Sequence, residues 1–187
     1  MSMADTQQSF DGARIIIVMG VSSSGKSTVG KALGRAMHAP FLDGDGYHPP
    51  ANVEKMRAGT PLTDEDRWPW LEALAKALAE AAEPKGVAVG ACSALKRSYR
   101  DFITEKAGEP VLFVYLDGTK EVIGERMAKR QHEYMPASLL DSQFATLEVP
   151  DEKTENVLKV PVTDSVDKIV RTITGALEHH KRFKRWQ

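Results

Sequence analysis

The chain has 187 residues, enough for one well-buried core and short for two, and 42% of them are apolar against 27% charged, the balance of an ordinary globular domain. Its 25 basic and 26 acidic side chains nearly cancel, so the charge footprint of a nucleic-acid binder is missing. No apolar run is long enough to cross a bilayer, residues 1–14 lack the basic and apolar regions of a secretory signal, and the single cysteine, Cys92, excludes an intrachain disulfide; a cytoplasmic protein is expected.

Residues 1–13 are polar and aperiodic and read as a disordered N-terminus. One domain is expected over 14–180, with a basic, solvated tail over 181–187. "RIIIVM" is a β-branched run suited to a buried parallel strand, and "GKSTVGKALGRAMH" then places Val29, Leu33 and Met37 on one helical face. "APFLD" is a short second strand ending at Asp43, followed by a stretch to Trp68 too rich in Gly and Pro for one regular element, which suits a substrate loop. "TDED" caps the next helix, on which Trp68, Leu71, Leu74, Leu78 and Ala81 recur at helical spacing.

"GVAVGAC" is a third buried strand, with Cys92 as a small buried hydrophobe at its end. "SALKRSYRDFITEKAG" reads as a helix capped by Ser93 and stopped near Gly108, "PVLFVYLD" as a fourth strand, and "TKEVIGERMAKRQ" as a helix carrying Arg126 and Arg130 four apart on one face. A polar, Pro-containing segment with one short helical piece interrupts the alternation before the final strand "NVLKVPV" and helix "DSVDKIVRTITGALEHH". Five strands alternating with helices call for a three-layer α/β fold with a parallel sheet, whose ligand lies at the carboxyl ends of the strands.

Gly20, Gly25, Lys26 and Ser27 satisfy the eight-position P-loop pattern between a strand and a helix. Glycines let backbone N–H groups wrap a polyphosphate, Lys26 reaches the outer phosphates, and the Ser27 hydroxyl can ligate Mg²⁺. ATP or another nucleoside triphosphate is the expected ligand. Asp43 and Asp45 stand two apart at the end of the second strand, so in an extended chain both carboxylates point to one side. Asp43 is assigned to the metal side and Asp45 to the proton of an attacking hydroxyl. A carboxylate there repels a phosphate nucleophile and favours an alcohol.

His48, Arg57, Arg67, Lys96, Arg97 and Arg100 are candidate partners for a substrate carboxylate, with Arg67 and Arg100 the best placed. Arg126 and Arg130 offer one guanidinium to stack on adenine and one to reach the transferring phosphoryl group; a charged helix end accounts for the pair equally well.

Four blocks, "GVSSSGKST", "FLDGDGYHPPANVEKMRAGTPLTDEDRWPWL", "CSALKRSYRD" and "YMPASLLDSQFATLE", resemble those of the gluconate kinases (gluconokinases), P-loop small-metabolite kinases, and span about residues 14–161 in the family's order. The resemblance implies ATP-dependent phosphorylation of D-gluconate on its 6-hydroxyl, with Mg²⁺, in a homodimer that involves neither nucleic acid nor membrane. It also implies an adenylate-kinase-like P-loop NTPase fold with sheet order 2-3-1-4-5 and a lid at about 131–150. Carried over by motif, Gly20, Val21, Ser22, Ser23, Ser24, Gly25, Lys26, Ser27 and Thr28 hold ATP, with Arg126 and Gln143 on the adenine and lid side. Ser27 and Asp43 serve the metal; Lys26, Asp45 and Arg130 serve the chemistry; Asp45, His48, Arg67, Lys96 and Arg100 face the sugar acid. Ser23 stands where the family more often has glycine. A kinase for another hydroxy acid such as shikimate, or a nucleotide-binding regulator without turnover, are the alternative readings.

Overall fold

The computed structural model describes residues 13–129 and 137–184. The expected disordered N-terminus, the end of the basic tail, Arg130 and positions 131–136 of the expected lid lie outside the described residues.

Five strands form one parallel sheet in the order β2-β3-β1-β4-β5: β1 Ile15–Met19, β2 Phe41–Asp43, β3 Ala88–Ala91, β4 Val111–Asp117 and β5 Val157–Pro161. This is the expected sheet. β1 lies at its centre and every one of its residues is buried, which is why its sequence is a continuous apolar run rather than an alternation.

The two faces of β1 nevertheless serve different layers, because successive side chains point to opposite sides. Ile15, Ile17 and Met19 pack with Trp70, Leu71, Leu74 and Leu78 of α3 (Asp64–Ala82) and with Tyr99 and Ile103 of α4 (Arg97–Ala107). Ile16 and Val18 pack with Val29 and Leu33 of α1 (Lys26–Met37), Ile123 of α5 (Lys120–Lys129), Leu140 of α6 (Ala137–Thr146), and Ile169 and Ile173 of α7 (Val166–Lys184). Among the described residues, no helix is long and apolar enough to cross a membrane.

The Gly- and Pro-rich stretch after β2 holds a 3-10 turn at Gly44–Tyr47 and α2 at Pro50–Arg57. α3 starts with the expected cap: Thr63 Oγ1 accepts from the Asp66 N–H at 3.2 Å, and Asp66 Oδ2 accepts from the Thr63 N–H at 2.9 Å. On this helix Trp70 and Ala82 are buried, and Trp68 and Ala81, expected on the core stripe, are half-buried. Trp68 packs against Tyr99 and Phe102, with ring centroids 5.6 and 4.9 Å away.

α4 departs from expectation at its start. It begins at Arg97 with Lys96 at the cap position and no side-chain cap, not at Ser93. The carbonyls of residues 93–95 have tertiary partners instead: Ser93 accepts from the Gly20 N–H, Ala94 from Arg100, and Leu95 from Arg100 and the Glu148 N–H. A chain whose carbonyls face those partners is held out of the helix, and Ala94 accordingly takes a left-handed φ of 44°. The helix ends at Gly108, also left-handed, as expected.

Candidate active site

The loop between β1 and α1 is shaped by its backbone. Gly25 caps α1 at φ 95°, a left-handed conformation that favours glycine, and no atom lies within 4 Å of where a Cβ would stand. Ser23, where the resembling family more often has glycine, also takes a left-handed φ of 63°. α1 thus aims its N-terminal N–H groups into an open cradle. Lys26 lies across the loop and donates to the Val21 carbonyl at 2.9 Å; an ammonium has three donors, so this bond orients it without exhausting it.

Ser22, Ser23, Gly25, Lys26, Ser27 and Thr28 line one cavity of about 390 Å³ together with Asp43, Asp45, Ala91 and Met127. Gly20, Val21 and Ser24 are buried beneath this surface. The end of β2 brings the acids to the cradle. Ser27 Oγ donates to Asp43 Oδ2 at 2.7 Å, and the Asp45 N–H donates to Asp43 Oδ1 at 3.0 Å. Asp43 therefore holds both the P-loop serine and the turn that carries Asp45.

A hydroxyl and a carboxylate are hard oxygen donors of the type Mg²⁺ accepts. Among the described residues no cluster of three or more His, Cys, Asp or Glu could hold a metal alone. The donor set fits an ion that retains waters and takes its remaining oxygens from phosphates.

Gln143 of α6 reaches the same loop. Its Oε1 accepts from the Ser22 N–H at 2.7 Å and its Nε2 donates to Ser22 Oγ at 2.9 Å. Arg126 points elsewhere: its guanidinium donates to the carbonyl of Val162 beyond β5, and a stack on adenine would require that bond to break.

Beside the acids, His48 stacks on Trp70 with ring centroids 3.9 Å apart and planes at 21°. The Trp70 indole N–H donates to the Gly44 carbonyl at 2.7 Å, between the two aspartates. Arg67 and Lys96 converge on a second cluster. Arg67 Nη1 donates to the Tyr99 hydroxyl at 2.5 Å, that hydroxyl donates to Asp64 Oδ1 at 2.5 Å, and Lys96 Nζ approaches the same oxygen at 3.3 Å. The Tyr99 bond, and then the charges of Lys96 and Arg67, hold the Asp64 carboxyl below its usual range. Burial, and then the bond to Asp64, pushes the Tyr99 hydroxyl up to about 12. Two cations thus stand over one aromatic ring, at 5.1 and 5.6 Å from its centroid.

Arg100 does not join them. Its side chain is 2% exposed; Nε donates to Glu155 at 2.7 Å, Nη1 to the carbonyls of Ala94 and Leu95, and Nη2 to the carbonyl of Glu148. The expectation that it faces a sugar acid is corrected: its guanidinium closes the fold between α4 and the segment before β5. Arg57 is exposed, and Arg97 bonds Thr154 at 3.0 Å, away from the cavity. Cys92 is buried, and burial pushes its thiol up to about 12, as suits a packed hydrophobe.

Residues 15–150 match the AAA domain family. The chain is 47% identical over 149 residues to a gluconokinase of Gluconobacter oxydans, covering 79% of this chain and 82% of that one. It is 40% identical over 168 residues to the thermoresistant gluconokinase of Escherichia coli, covering 89% and 95%. The chain belongs to the gluconokinase family. Its structure superposes on that of a gluconokinase from Sinorhizobium meliloti with a TM-score of 0.80 at 44% identity, over 92% of this chain and 96% of that one.

In this gluconokinase-family chain, sequence reasoning missed Asp64, Tyr99, Asn52 and Trp70. Asp64 reads as one of the acids of the "TDED" cap, and Tyr99 and Trp70 fall outside the expected site residues and the expected core stripe. Only the four-residue step from His48 to Asn52, and the run Asp64-x-x-Arg67 at the helix start, signal that these side chains meet.

Proposed function

We propose that this chain transfers the γ-phosphoryl group of ATP to the 6-hydroxyl of D-gluconate, giving 6-phosphogluconate and ADP. The observation that carries the proposal is the Ser27–Asp43–Asp45 arrangement, which places a carboxylate-bearing turn on the P-loop itself. The gluconokinase relatives support the choice of acceptor.

The backbone of residues 20–28 and the end of α1 hold the phosphates. Ser27 and Asp43 would hold Mg²⁺, which would supply positive charge against the phosphates. Asp45 accepts the proton of the 6-hydroxyl as its oxygen bonds to the γ-phosphorus. The bond from that phosphorus to the bridging oxygen breaks, and ADP keeps the electron pair. Lys26 offsets the charge that gathers on the transferring group. Arg67 and Lys96, held by Tyr99 and Asp64, supply the positive surface for the substrate carboxylate, and His48 binds beside them. Gln143 ties α6 to the phosphate loop, which supports a lid role for the segment 131–150.

We infer one domain over residues 14–180, a cytoplasmic enzyme, and a homodimer as the family resemblance implies; light scattering tests the assembly and cell fractionation the location. The activity is tested by ATP-dependent ADP release with Mg²⁺ across gluconate, other sugar acids, shikimate and nucleoside monophosphates. Strong turnover with gluconate alone is expected. Turnover with a different acid would retain the P-loop mechanism and overturn the substrate.

A further inference from the structure

We propose that Asn52 and Trp70 are positioning residues that fix His48 as a neutral imidazole protonated on Nε2, so that it meets the acceptor substrate as a hydrogen-bond donor. The substrate part rests on the gluconate reading above; the protonation pattern rests on the contacts and surroundings of His48 and is independent of that reading.

Asn52 is 3% exposed, and its amide orientation is set by the backbone. Nδ2 donates to the Asp66 carbonyl at 2.8 Å, and a carbonyl oxygen can only accept. The same Nδ2 lies 3.3 Å from His48 Nδ1. An amide nitrogen has hydrogens and no acceptor lone pair, so the ring nitrogen must be the acceptor. A neutral imidazole that accepts at Nδ1 carries its proton on Nε2. A charged imidazole would set an N–H against an NH₂ group.

Trp70 fixes the ring plane from the other side. Its face stacks on His48 and its indole N–H is bound to the Gly44 carbonyl, so one side chain ties the histidine to the turn carrying Asp45. The charged groups around this ring favour the neutral form. Arg67 acts on it from α3, while the Asp66 carboxylate is held by Lys55 at 2.8 Å and by the Thr63 N–H. Burial first, and then Arg67, push the imidazole down to about 4.

The site therefore divides its labour. Asp45 accepts a proton, and His48 offers one in a hydrogen bond without losing it. Nδ1 is the ring nitrogen turned to Asn52, which leaves Nε2 for an acceptor oxygen of a polyhydroxy acid. A neutral donor also suits a site that must hold an alcohol without adding a second base.

The test is a long-range ¹H–¹⁵N correlation spectrum of the full chain labelled in histidine, with His48 assigned by the signals lost in His48→Gln. Nε2 is expected to be protonated and Nδ1 bare, unchanged between about pH 5 and 8. A proton on Nδ1, or an imidazolium at neutral pH, would overturn the proposal whatever the activity. Kinetics separate the roles. His48→Ala is expected to raise the KM for gluconate about tenfold, the scale of one lost hydrogen bond. His48→Gln, whose amide nitrogen can donate from a similar position, is expected to recover part of that loss with an unaltered pH profile. Equal loss of kcat in both variants would make His48 a proton acceptor and sink the proposal. If wild-type protein shows the expected tautomer and turns over no gluconate, the substrate assignment falls and the positioning of His48 stands.

Discussion

Arg100 and Glu155 form an ion pair at 2.7 Å with side chains 2% and 8% exposed, joining the first turn of α4 to the segment entering β5. Burial pushes the Glu155 carboxyl up, but the Arg100 bond, the Asp151 N–H and the arginine's charge outweigh it and hold the group below its usual range. Removing one partner of such a pair leaves the other charge buried, a loss of about 3 to 5 kcal/mol. Arg100→Met would also strand the carbonyls of Ala94, Leu95 and Glu148. A urea-denaturation series is expected to show a loss on that scale, with Arg100→Lys intermediate because it keeps charge and loses the planar fork. Folded Arg100→Lys should keep the KM for gluconate; a raised KM with unchanged stability would return Arg100 to the substrate.

Lys26 and Asp45 make the opposite prediction, activity without stability. Both lie on the cavity wall and neither is in the buried core. Lys26→Ala and Asp45→Asn are each expected to lower kcat at least about a hundredfold, the range of a positioned acid-base or electrostatic group. Their urea midpoints should stay near wild type. Near-normal turnover of a folded Asp45→Asn protein would remove Asp45 from the acceptor role.

Local pattern carries much of this site, and tertiary placement carries the rest. The glycine spacing of the P-loop and the two-residue step between Asp43 and Asp45 are backbone constraints, and a sequence displays those directly. Which face of a helix meets the site is different. Tyr99 and Arg100 are neighbours on α4 and so project in different directions; the charged one looks like the ligand, yet it turns inward because its partner Glu155 lies 55 residues away. Ser93 looks like a cap for the same reason, since the groups that claim the carbonyls of residues 93–95 come from other elements. Lys96 and Arg67 were legible as cations, but the Tyr99–Asp64 pair between them is a contact across 35 residues.

His48 predicts a pH dependence of stability. Its folded-state value is pushed down to about 4 from an ordinary 6.5, by burial and then by Arg67. The unfolded chain therefore takes up a proton first as pH falls. The stabilisation is fully present above 6.5 and is lost on descending from 6.5 towards 4. Urea midpoints measured across that window should fall more steeply for wild type than for His48→Gln. Asp66, held down to about 2 by its Lys55 and Thr63 hydrogen bonds, loses its contribution only at lower pH, between 3.8 and about 2. Parallel slopes in the two proteins would show that His48 titrates as an ordinary exposed histidine.

Gly44 gives a steric prediction within the acidic turn. A Cβ there would stand 2.5 Å from the Ala91 carbonyl oxygen and 3.1 Å from Leu74 Cδ2, with β3 on one side and the core face of α3 on the other. Neither wall can retreat far, so Gly44→Ala must push the turn outward, at about 1 to 3 kcal/mol. The same displacement carries Asp45 away from its hydroxyl, and a shift on the order of 1 Å costs about a hundredfold in rate. Gly46, two residues on, has no atom within 4 Å of its Cβ position and no positive φ. Gly46→Ala is therefore expected to stay within about 0.5 kcal/mol of wild type. Comparing urea midpoints and kcat for the two variants isolates the close approach at Gly44; equal effects would mean that the turn tolerates a side chain at either position and that its packing on β3 does not set the place of Asp45.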